Sequence, residues 1–317
     1  MQRYTLSIQP ETAFATPLKG DTLFGQACWL IRHCYGEEQL SNLLEGYTAQ
    51  KPFMVVSDAT PKGYLQRPTV PLSLLGFDVT DSKQRKQLKG KKWFPESVLS
   101  QPLNTWHNVA LTANEMLDTM GIIGELMQQD SQNHNSLNRK TGTTGSSEGF
   151  APFQRYITWY HPEVVLNIQV EIDEHRFSIE QLQEVFSLMG MQGYGKEASC
   201  GLGKFTLKNV SQQERLNLPQ ANAFLTLAPC TPQGLSWHDE DCYYQIFTRF
   251  GRHGDLAVHS NNPFKNPILM ADSDAVLTPQ TMDTQQGWCG QGMSGVSKAI
   301  TATVQQGYAP IHLINRG

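Results

Sequence analysis

The N-terminal part of the chain combines a strand pattern with a helix pattern. Polar and apolar residues alternate over positions 1–9, which predicts a strand with one buried face. Asp21 is a good N-cap for a helix over Thr22–Tyr35, whose apolar residues fall at helical spacing on one broad face. Gly36 is expected to end this helix. The chain therefore begins with a βα unit.

A second βα unit is clearer. Residues 164–172 alternate between apolar and polar side chains, and Ser178–Gln181 has the Ser-x-x-Gln spacing of a capping box that starts a helix. Two further strands are predicted at Phe53–Val56 and Phe205–Lys208. The order β-α-β, a long insertion, then β-α-β predicts an α+β protein with the ferredoxin-like arrangement of RRM-type RNA binders, in which two helices cover one face of an antiparallel sheet.

Two domains are expected. Residues 1–210 are predicted to form the ferredoxin-like domain, with an insertion at about 60–150, and residues 220–317 a second, β-rich domain. The boundary is placed near Ser211–Pro219, where the strand pattern breaks. The runs expected to supply strands in the second domain are Phe224–Leu227, Tyr243–Phe250, Ile268–Met270, Val296–Val304 and Pro310–Ile314.

Net charge argues against a protein that binds nucleic acid over its whole surface. The 317 residues carry 25 lysines and arginines against 29 acidic residues, a formal charge of −4. Six of these cations lie between Lys83 and Lys92, so the rest of the chain carries 19 basic against 29 acidic groups. A local RNA clamp is still compatible with this balance.

Composition also limits prosthetic groups and location. The six cysteines show neither a C-x-x-C pair nor a repeated spacing, which argues against a zinc ribbon or a disulfide framework, and Cys28 and Cys34 are expected to pack in the core. No apolar run approaches the ~18 residues of a membrane span. The first residues lack the continuous apolar stretch of a secretory signal. We expect a cytoplasmic protein with no membrane contact and no cofactor.

A glycine-rich segment, Gly193–Phe205, is the first candidate for binding chemistry. Four glycines and two lysines, Lys196 and Lys204, alternate within it, so backbone amides and cations could both approach a phosphate. The segment follows a helix and precedes a strand, which is the reverse of the Walker and Rossmann context and argues against a nucleotide cofactor. A flexible connection and a phosphate contact are equally consistent with the glycine count.

Three further segments have the composition either of interaction sites or of solvated surface. Residues 128–149 are almost entirely polar, for which a disordered surface loop is the simpler interpretation. Lys83–Lys92 is either a solvated charge run or a phosphate contact, and Trp93 and Phe94 directly after it favour an interaction site. Arg249–Gly254 places two arginines and a histidine at a glycine turn, where a simple hairpin loop is equally consistent.

Catalytic constellations are sparse. His253, Asp255 and His259 lie in a turn-like segment without a further ligand at a recognised spacing, so no metal site is expected there. The motifs of α/β-hydrolases, zinc metalloproteases and protein kinases do not occur. The sequence shows no assembled acid–base pair.

Several of these segments, taken in order, resemble a known family. They are Thr16–Gly25 at the first helix, Asn138–Gly142 in the polar loop, the glycine loop 193–205, and Arg252–Asp255 with Asn262–Lys265. Together they resemble the RAMP-superfamily subunit of type III-A (Csm-type) CRISPR effector complexes that caps the 5′ end of the guide RNA. The resemblance continues to the final Gly307–Pro310 segment.

The resemblance implies a non-catalytic RNA-binding protein of antiviral defence. Members of this family hold the repeat-derived 5′ handle of the crRNA, dock on the large polymerase-like signature subunit, and abut the first backbone RAMP subunit of the ribonucleoprotein complex. Two positions depart from the family pattern: Lys196 stands where glycine is usual, and Ala198 where arginine is frequent.

RNA-binding residues are expected from these segments and from the resemblance together. Gly193, Gly195, Ser199, Gly201 and Gly203 match the family's glycine loop, and Asn138, Arg139, Thr141 and Gly142 match its polar-loop motif. The cationic and polar residues expected to add affinity are Lys19, Lys140, Lys196, Lys204, Arg249, Arg252, His253 and Lys265.

Two other functions remain open. Related RAMP proteins cleave CRISPR repeat RNA by metal-independent acid–base chemistry, and His33, Tyr194 and Lys196 are the candidates for such an endoribonuclease in this sequence. A purely scaffolding subunit, which contacts protein and no RNA, is the third possibility.

Overall fold

The computed structural model describes residues 1–78, 82–144, 151–254, 258 and 262–317, and for residues 82–85 it describes the backbone alone. The helices are α1 (Gly20–Leu44), α2 (Ser82–Gly90), α3 (Ala113–Met120) and α4 (Ile179–Gln192). The strands are β1 (Gln2–Pro10), β2 (Met54–Pro61), β3 (Tyr64–Gln66), β4 (Trp93–Pro95), β5 (Met127–His134), β6 (Phe153–Tyr160), β7 (Leu166–Ile172), β8 (Phe205–Gln213), β9 (Ala223–Thr226), β10 (Ile246–Arg249), β11 (Ile268–Ala271), β12 (Val276–Leu277), β13 (Trp288–Gly290) and β14 (Tyr308–Ile314). The chain is thus a mixed α and β protein with several sheets, as the sequence predicts.

The main sheet has the strand order β2-β7-β1-β8, and every neighbouring pair in it is antiparallel. Apolar side chains of one face, such as Leu6 and Ile168, join those of α1 and α4 in the largest core. The predicted capping box at the start of α4 is confirmed, because Ser178 Oγ accepts from the Gln181 amide and Gln181 Oε1 accepts from the Ser178 amide. These interactions satisfy amides that the first helical turn leaves open.

The other face of this sheet is also buried, so the prediction of a single buried face is wrong. Glu171 on β7 is fully buried and accepts hydrogen bonds from Arg3 Nε at 2.7 Å and Arg215 Nη2 at 2.6 Å. Arg3 Nη2 also donates to the carbonyl oxygens of Ile311 and Gly287. The polar residues of β7 on this face are thus hydrogen-bonded within the protein: Glu171 to the two arginines, and Asn167 and Gln169 to Ser7 and Thr5 of β1.

The second half of the chain is built around a sheet with the order β12-β9-β14-β13. Phe224, Ile311 and Leu313 pack in one core on this sheet, while Leu225 and Ile314 share another core with residues of the 65–110 segment. A separate two-stranded sheet pairs β10 with β11. The predicted strand over Val296–Val304 is wrong: within the described part of the chain this run forms turns, and only Val296 is buried in a small core with Ile268 and Met270.

Helix α1 differs from the prediction at both ends. Its N-cap is Lys19 and not Asp21, which lies in the first turn, where its buried carboxylate pairs with Arg249 of β10 and accepts from Gln305 Nε2. Gly36 does break the helical geometry, at φ 90°, but the chain resumes a helix that continues to Leu44. Cys34 is exposed and not a core residue, whereas Cys28 is partly buried against the core.

Strands β5 and β6 form a two-stranded arm. Eight antiparallel residue pairs run from Met127 opposite Tyr160 to His134 opposite Phe153, and the β5 side chains are exposed as far as Asn133. The interpretation of residues 128–149 as a disordered loop is therefore wrong for their first third, which is a strand. Residues 145–150 lie outside the described part of the chain.

Candidate nucleic-acid interface

The glycine loop is closed at its neck by two glycines. A Cβ atom on Gly203 would lie 2.1 Å from the carbonyl oxygen of Tyr194, and one on Gly193 would lie 2.5 Å from that of Leu202. Both glycines also have positive φ, at 74° and 97°. The Tyr194 amide donates to the Gly203 carbonyl oxygen at 2.9 Å and closes the neck. These glycines are needed to pack the loop on itself, whatever the loop binds.

The loop is fixed on the segment that joins β1 to α1 and on the first turns of α1. The amides of Lys196 and Lys204 donate to the hydroxyl groups of Thr16 and Thr12, both at 2.9 Å. Gln26 of α1 bonds the loop twice, because its Oε1 accepts from the Gly195 amide and its Nε2 donates to the Gly193 carbonyl oxygen. Two segments that carry the family resemblance, 16–25 and 193–205, are thus neighbours in space.

The outer rim of the glycine loop remains accessible. Lys196 and Ser199 are exposed, Lys204 is half-buried, and a Cβ on Gly201 would meet no atom within 4 Å. Neither lysine forms an ion pair with any residue that the structure describes. The rim therefore presents two unneutralised cations next to a glycine that a ligand could approach closely.

Lys19 occupies a different environment. Its ammonium lies 2.9 Å from carboxylate oxygens of both Asp58 and Asp272 and donates to Ser273 Oγ at 2.6 Å. Burial disfavours the charged form, yet the two carboxylates raise the pKa of Lys19 above its usual value. A phosphate would have to displace both carboxylates, so this geometry favours a structural role for Lys19.

Arg249 is also committed to a carboxylate. Its Nε and Nη2 donate to both oxygens of Asp21, at 2.6 and 2.7 Å, and its guanidinium lies 4.7 Å from the centre of the Phe247 ring. Although burial opposes the charge, the hydrogen bonds to Asp21 raise the pKa of Arg249. The pair joins the first turn of α1 to β10 and leaves little of the guanidinium for a ligand.

The segment after β10 presents two other cations. Arg252 is exposed, and its guanidinium lies 5.6 Å from the centre of the Phe264 ring. Lys265 is half-buried; its amide donates to the Gly251 carbonyl oxygen, and burial lowers the pKa of its ammonium. Neither cation has a carboxylate partner in the described ranges. His253 is 4% exposed, with Nε2 2.6 Å from Ser297 Oγ, which is the environment of a packing residue.

The Asn138–Gly142 motif forms a tight turn beyond the end of the arm. The Lys140 amide donates to Asn138 Oδ1, and the Gly142 amide donates to the Asn138 carbonyl oxygen at 2.8 Å. Gly142 has a φ of 66°, which favours glycine. The turn leaves Arg139, Lys140 and Thr141 exposed.

The arm is joined to the glycine loop by a salt bridge. Arg155 Nη2 on β6 lies 3.0 Å from Glu197 Oε2, and Arg155 Nε is buried without a hydrogen-bond partner among the described residues. Three aromatic side chains of β6 are exposed, namely Phe153, Tyr156 and Trp159. These rings were not among the predicted site residues, although three aromatic residues and an arginine so close to a polar loop are typical of surfaces that bind single-stranded RNA.

The charge run forms most of α2. Lys86 and Lys89 are exposed, and the side chains of Lys83 and Arg85 lie outside the described part of the chain. Arg67 Nη1 lies 3.2–3.3 Å from three carbonyl oxygens at the end of the helix. A solvated helix face and a phosphate contact are both compatible with this arrangement.

The nuclease candidates are not brought together as a set. Tyr194 is fully buried, its hydroxyl donates to the Pro17 carbonyl oxygen at 2.8 Å, and burial raises its pKa. It is thus shielded from substrate. His33 and Lys196 are exposed.

Metal and membrane sites find no support in the described ranges. They contain no group of three or more His, Cys, Asp and Glu side chains placed to hold a metal ion. Asp255 and His259 lie outside those ranges. No helix within them has both the length and the apolar character of a membrane span.

Comparisons with known proteins support the resemblance at the level of the fold. No protein-family model and no curated protein sequence matches the chain. A chain in the crystal structure of a Csm3-Csm4 subcomplex in the type III-A CRISPR-Cas interference complex is similar over 99% of this chain and 100% of its own length, with a TM-score of 0.63 and 12% identity. A chain in the crystal structure of a Csm1-Csm4 cassette in complex with pppApA is similar over 98% of both chains, with a TM-score of 0.57 and 11% identity. At such low identity the whole-length match confirms a Csm-type fold, from the first strand to the last.

Proposed function

We propose that this chain is the subunit of a type III-A CRISPR effector complex that holds the 5′ handle of the crRNA, without catalysis. The observation that carries the proposal is the glycine loop, docked on the 12–26 segment with Lys196 and Lys204 at its rim. The similar solved structures are assemblies described as Csm3-Csm4 and Csm1-Csm4, which supports a role inside an effector complex.

The topology of the main sheet agrees with this proposal. The strand order β2-β7-β1-β8, with α1 after β1 and α4 after β7, is that of a split βαβ unit, and we infer a ferredoxin-like domain. RRM proteins use the same arrangement to bind single-stranded RNA. Here the sheet has both faces buried, so RNA would be held by loops at its edge and not on the sheet surface.

The chemistry of these loops fits single-stranded RNA. Cations and backbone amides hold phosphates, and exposed aromatic rings stack with bases. Lys196 and Lys204 on the loop, Arg252 and Lys265 beyond β10, and Arg139 and Lys140 on the arm's turn supply cations that no described carboxylate neutralises. The aromatic side chains of β6 supply stacking surfaces on the arm, beside the loop.

Protein partners follow from the same proposal. The chain would dock on the large polymerase-like signature subunit and abut the backbone RAMP subunit, which matches the pairings in the similar structures. The acidic balance outside Lys83–Lys92 suits a surface that mainly contacts proteins. Such a complex would act in the cytoplasm in antiviral defence.

Charge reversal at the loop rim is the direct test. The purified chain carrying Lys196→Glu and Lys204→Glu is compared with a matched control carrying Lys89→Glu and Lys91→Glu, which has the same change in net charge. Fluorescence anisotropy measures binding to a synthetic RNA that carries the repeat-derived 5′ handle. We expect a steeper loss of affinity at the loop. Equal losses of affinity would show that both pairs of lysines act only through the general electrostatic field of the protein and not through specific phosphate contacts.

The dependence on salt adds a second measurement. Each phosphate contact to single-stranded RNA contributes about 0.7 to the slope of log affinity against log salt. The loop variant should therefore lose about 1.4 from the slope, while the control keeps it. A flat salt dependence of the wild-type chain would argue against phosphate contacts altogether.

The alternative of an endoribonuclease is tested with repeat RNA. Incubation with the purified chain should leave the RNA intact, because Tyr194 is buried and cannot act with His33 and Lys196. Cutting at one position that disappears in His33→Ala or Lys196→Ala would overturn the non-catalytic proposal. A scaffolding role without RNA contact would leave the handle unprotected from nuclease in the assembled complex.

A further inference from the structure

Helix α1 presents a polar and aromatic stripe next to the glycine loop. Gln26, Trp29 and His33 are three or four residues apart and so share one side of the helix. Gln26 is the residue that holds the loop. The Trp29 and His33 rings are nearly parallel, with an interplanar angle of 29° and centroids 6.4 Å apart. The same side of the helix that holds the loop through Gln26 therefore also presents two flat rings, one and two turns further along α1.

Trp29 does not behave as a core residue. The next two residues of the helix, Leu30 and Ile31, are 4% and 0% exposed and belong to the main core, whereas Trp29 is only half-buried and lies outside the apolar cores formed by the described residues. Its Nε1 donates to no residue in the described ranges. An indole in this setting keeps a ring face and a hydrogen-bond donor for another molecule.

One cation, which is also ion-paired to exposed Glu37, lies against this indole. The Arg32 guanidinium lies 5.4 Å from the centre of the Trp29 ring. A Cβ on Gly254 would lie 3.6 Å from Trp29 Nε1, so the 249–254 turn approaches the edge of the ring, with exposed Arg252 two residues earlier in the chain. Trp29 therefore lies between the glycine loop and the Arg252 turn, two segments expected to contact RNA.

We propose that Trp29 is a stacking platform for a nucleobase of single-stranded RNA, which crosses α1 between the glycine loop and the Arg252 turn. Arg32 and His33 flank this base. The inference rests on the proposed RNA-binding function and adds a binding residue outside the segments that carry the resemblance. Base stacking on an aromatic ring accepts any base, because each base has a π face. The platform would therefore help to position the RNA strand and would contribute little to sequence selectivity.

A cycle between protein variants and abasic nucleotides tests this contact. Wild type, Trp29→Phe and Trp29→Leu are titrated with the handle RNA and with RNAs in which one nucleotide at a time lacks its base. Phenylalanine keeps a ring, and leucine keeps apolar bulk without one. Trp29→Leu should bind about 5- to 150-fold more weakly, as expected for one lost stacking contact, and Trp29→Phe within about threefold of wild type. Trp159→Leu is the matched tryptophan control on the arm.

The coupling between the Trp29 substitution and a missing base decides whether Trp29 stacks on that base. One abasic position should weaken wild type and leave Trp29→Leu unchanged, while the same position still weakens Trp159→Leu. Losses that add at every position, or equal losses for Trp29→Phe and Trp29→Leu, would overturn the platform. If Lys196→Glu with Lys204→Glu lowers affinity and no coupling to Trp29 is found, the platform fails and the RNA-binding proposal survives. If wild type binds no RNA, both fail. Melting temperatures equal to wild type show that the variants are folded.

Discussion

Removal of the Glu171 carboxylate should destabilise the protein more than removal of any exposed carboxylate. Glu171 is fully buried where the main sheet meets the second half of the chain, and its two oxygens accept from Arg3 and Arg215. In Glu171→Ala the guanidinium of Arg3, whose side chain is 7% exposed, keeps only its bonds to the carbonyl oxygens of Ile311 and Gly287 and a weak contact with His312. A buried cation would then lack a counter-charge.

The size of the effect follows from burial. Removing one partner of a buried ion pair costs about 3–5 kcal/mol, mainly because the remaining charge is left without compensation. An exposed pair contributes about 0–1 kcal/mol. The chain offers a matched control in Arg32 and Glu37, the same two residue types at 2.8 Å, with the Glu37 side chain 75% exposed. Since whole proteins are stable by about 5–15 kcal/mol, the predicted loss is a large share of the total.

Urea unfolding at 25 °C, followed by circular dichroism and tryptophan fluorescence, measures the difference. Glu171→Ala should lower the free energy of unfolding by about 3–5 kcal/mol and Glu37→Ala by less than about 1 kcal/mol. Glu171→Gln, which keeps acceptor capacity without charge, should fall between them. If Glu171→Ala and Glu37→Ala differ by less than about 0.5 kcal/mol, the uncompensated Arg3 charge is not what determines stability here.

Three other predictions test separate parts of the structure. Gly203→Ala should lower the free energy of unfolding by more than about 2 kcal/mol and weaken RNA binding, because its Cβ meets a backbone oxygen and its φ is positive. Gly201→Ala, which has positive φ but open space around its Cβ, should lower it by only about 1 kcal/mol. Thermal melts of both variants compare the two losses. Burial and the neighbouring Asp58 raise the pKa of Asp274 to about 8, so its folded form prefers the proton. Asp274→Asn should therefore leave stability unchanged below about pH 4 and raise it increasingly up to pH 8, by about 5 kcal/mol at about 1.4 kcal/mol per pKa unit. Thermal melts that show no pH-dependent gain would contradict this. Glu197→Gln should tighten RNA binding by about two- to fivefold in anisotropy titrations, because it removes a carboxylate from the loop and leaves Arg155 without its counter-charge. Unchanged or weaker binding would contradict this prediction.

Local patterns predicted the elements that local forces determine. The alternation over residues 164–172 and the Ser178 capping box both correspond to observed elements, because strand period and helix capping depend on residues within a few positions. The same alternation predicts only one buried face for β7, which is wrong. The buried position of Glu171 depends on Arg3 and Arg215, which are far away in sequence, and no local periodicity can report such partners.

The arm was not predicted because β5 lacks the usual strand signal. The β5 sequence is almost entirely polar and contains no β-branched residue, so composition predicts a disordered loop. The strand is stabilised by pairing with β6, which is rich in aromatic and β-branched residues. A polar segment can thus be ordered by its partner strand when its own composition does not favour a strand.

The candidate RNA-binding cations divide into two groups that the sequence cannot separate. Lys19 is ion-paired to Asp58 and Asp272, and Arg249 to Asp21; in each pair the partners are 39 or more residues apart in the chain (58 − 19 = 39 for the nearest). These pairs fix the start of α1, from which Gln26 reaches the glycine loop. The paired cations therefore position the loop, and the unpaired ones at its rim and beyond β10 are those that we propose contact phosphates. A protein with net charge −4 can hold RNA in this way, since only a few cations without partners are needed in one place.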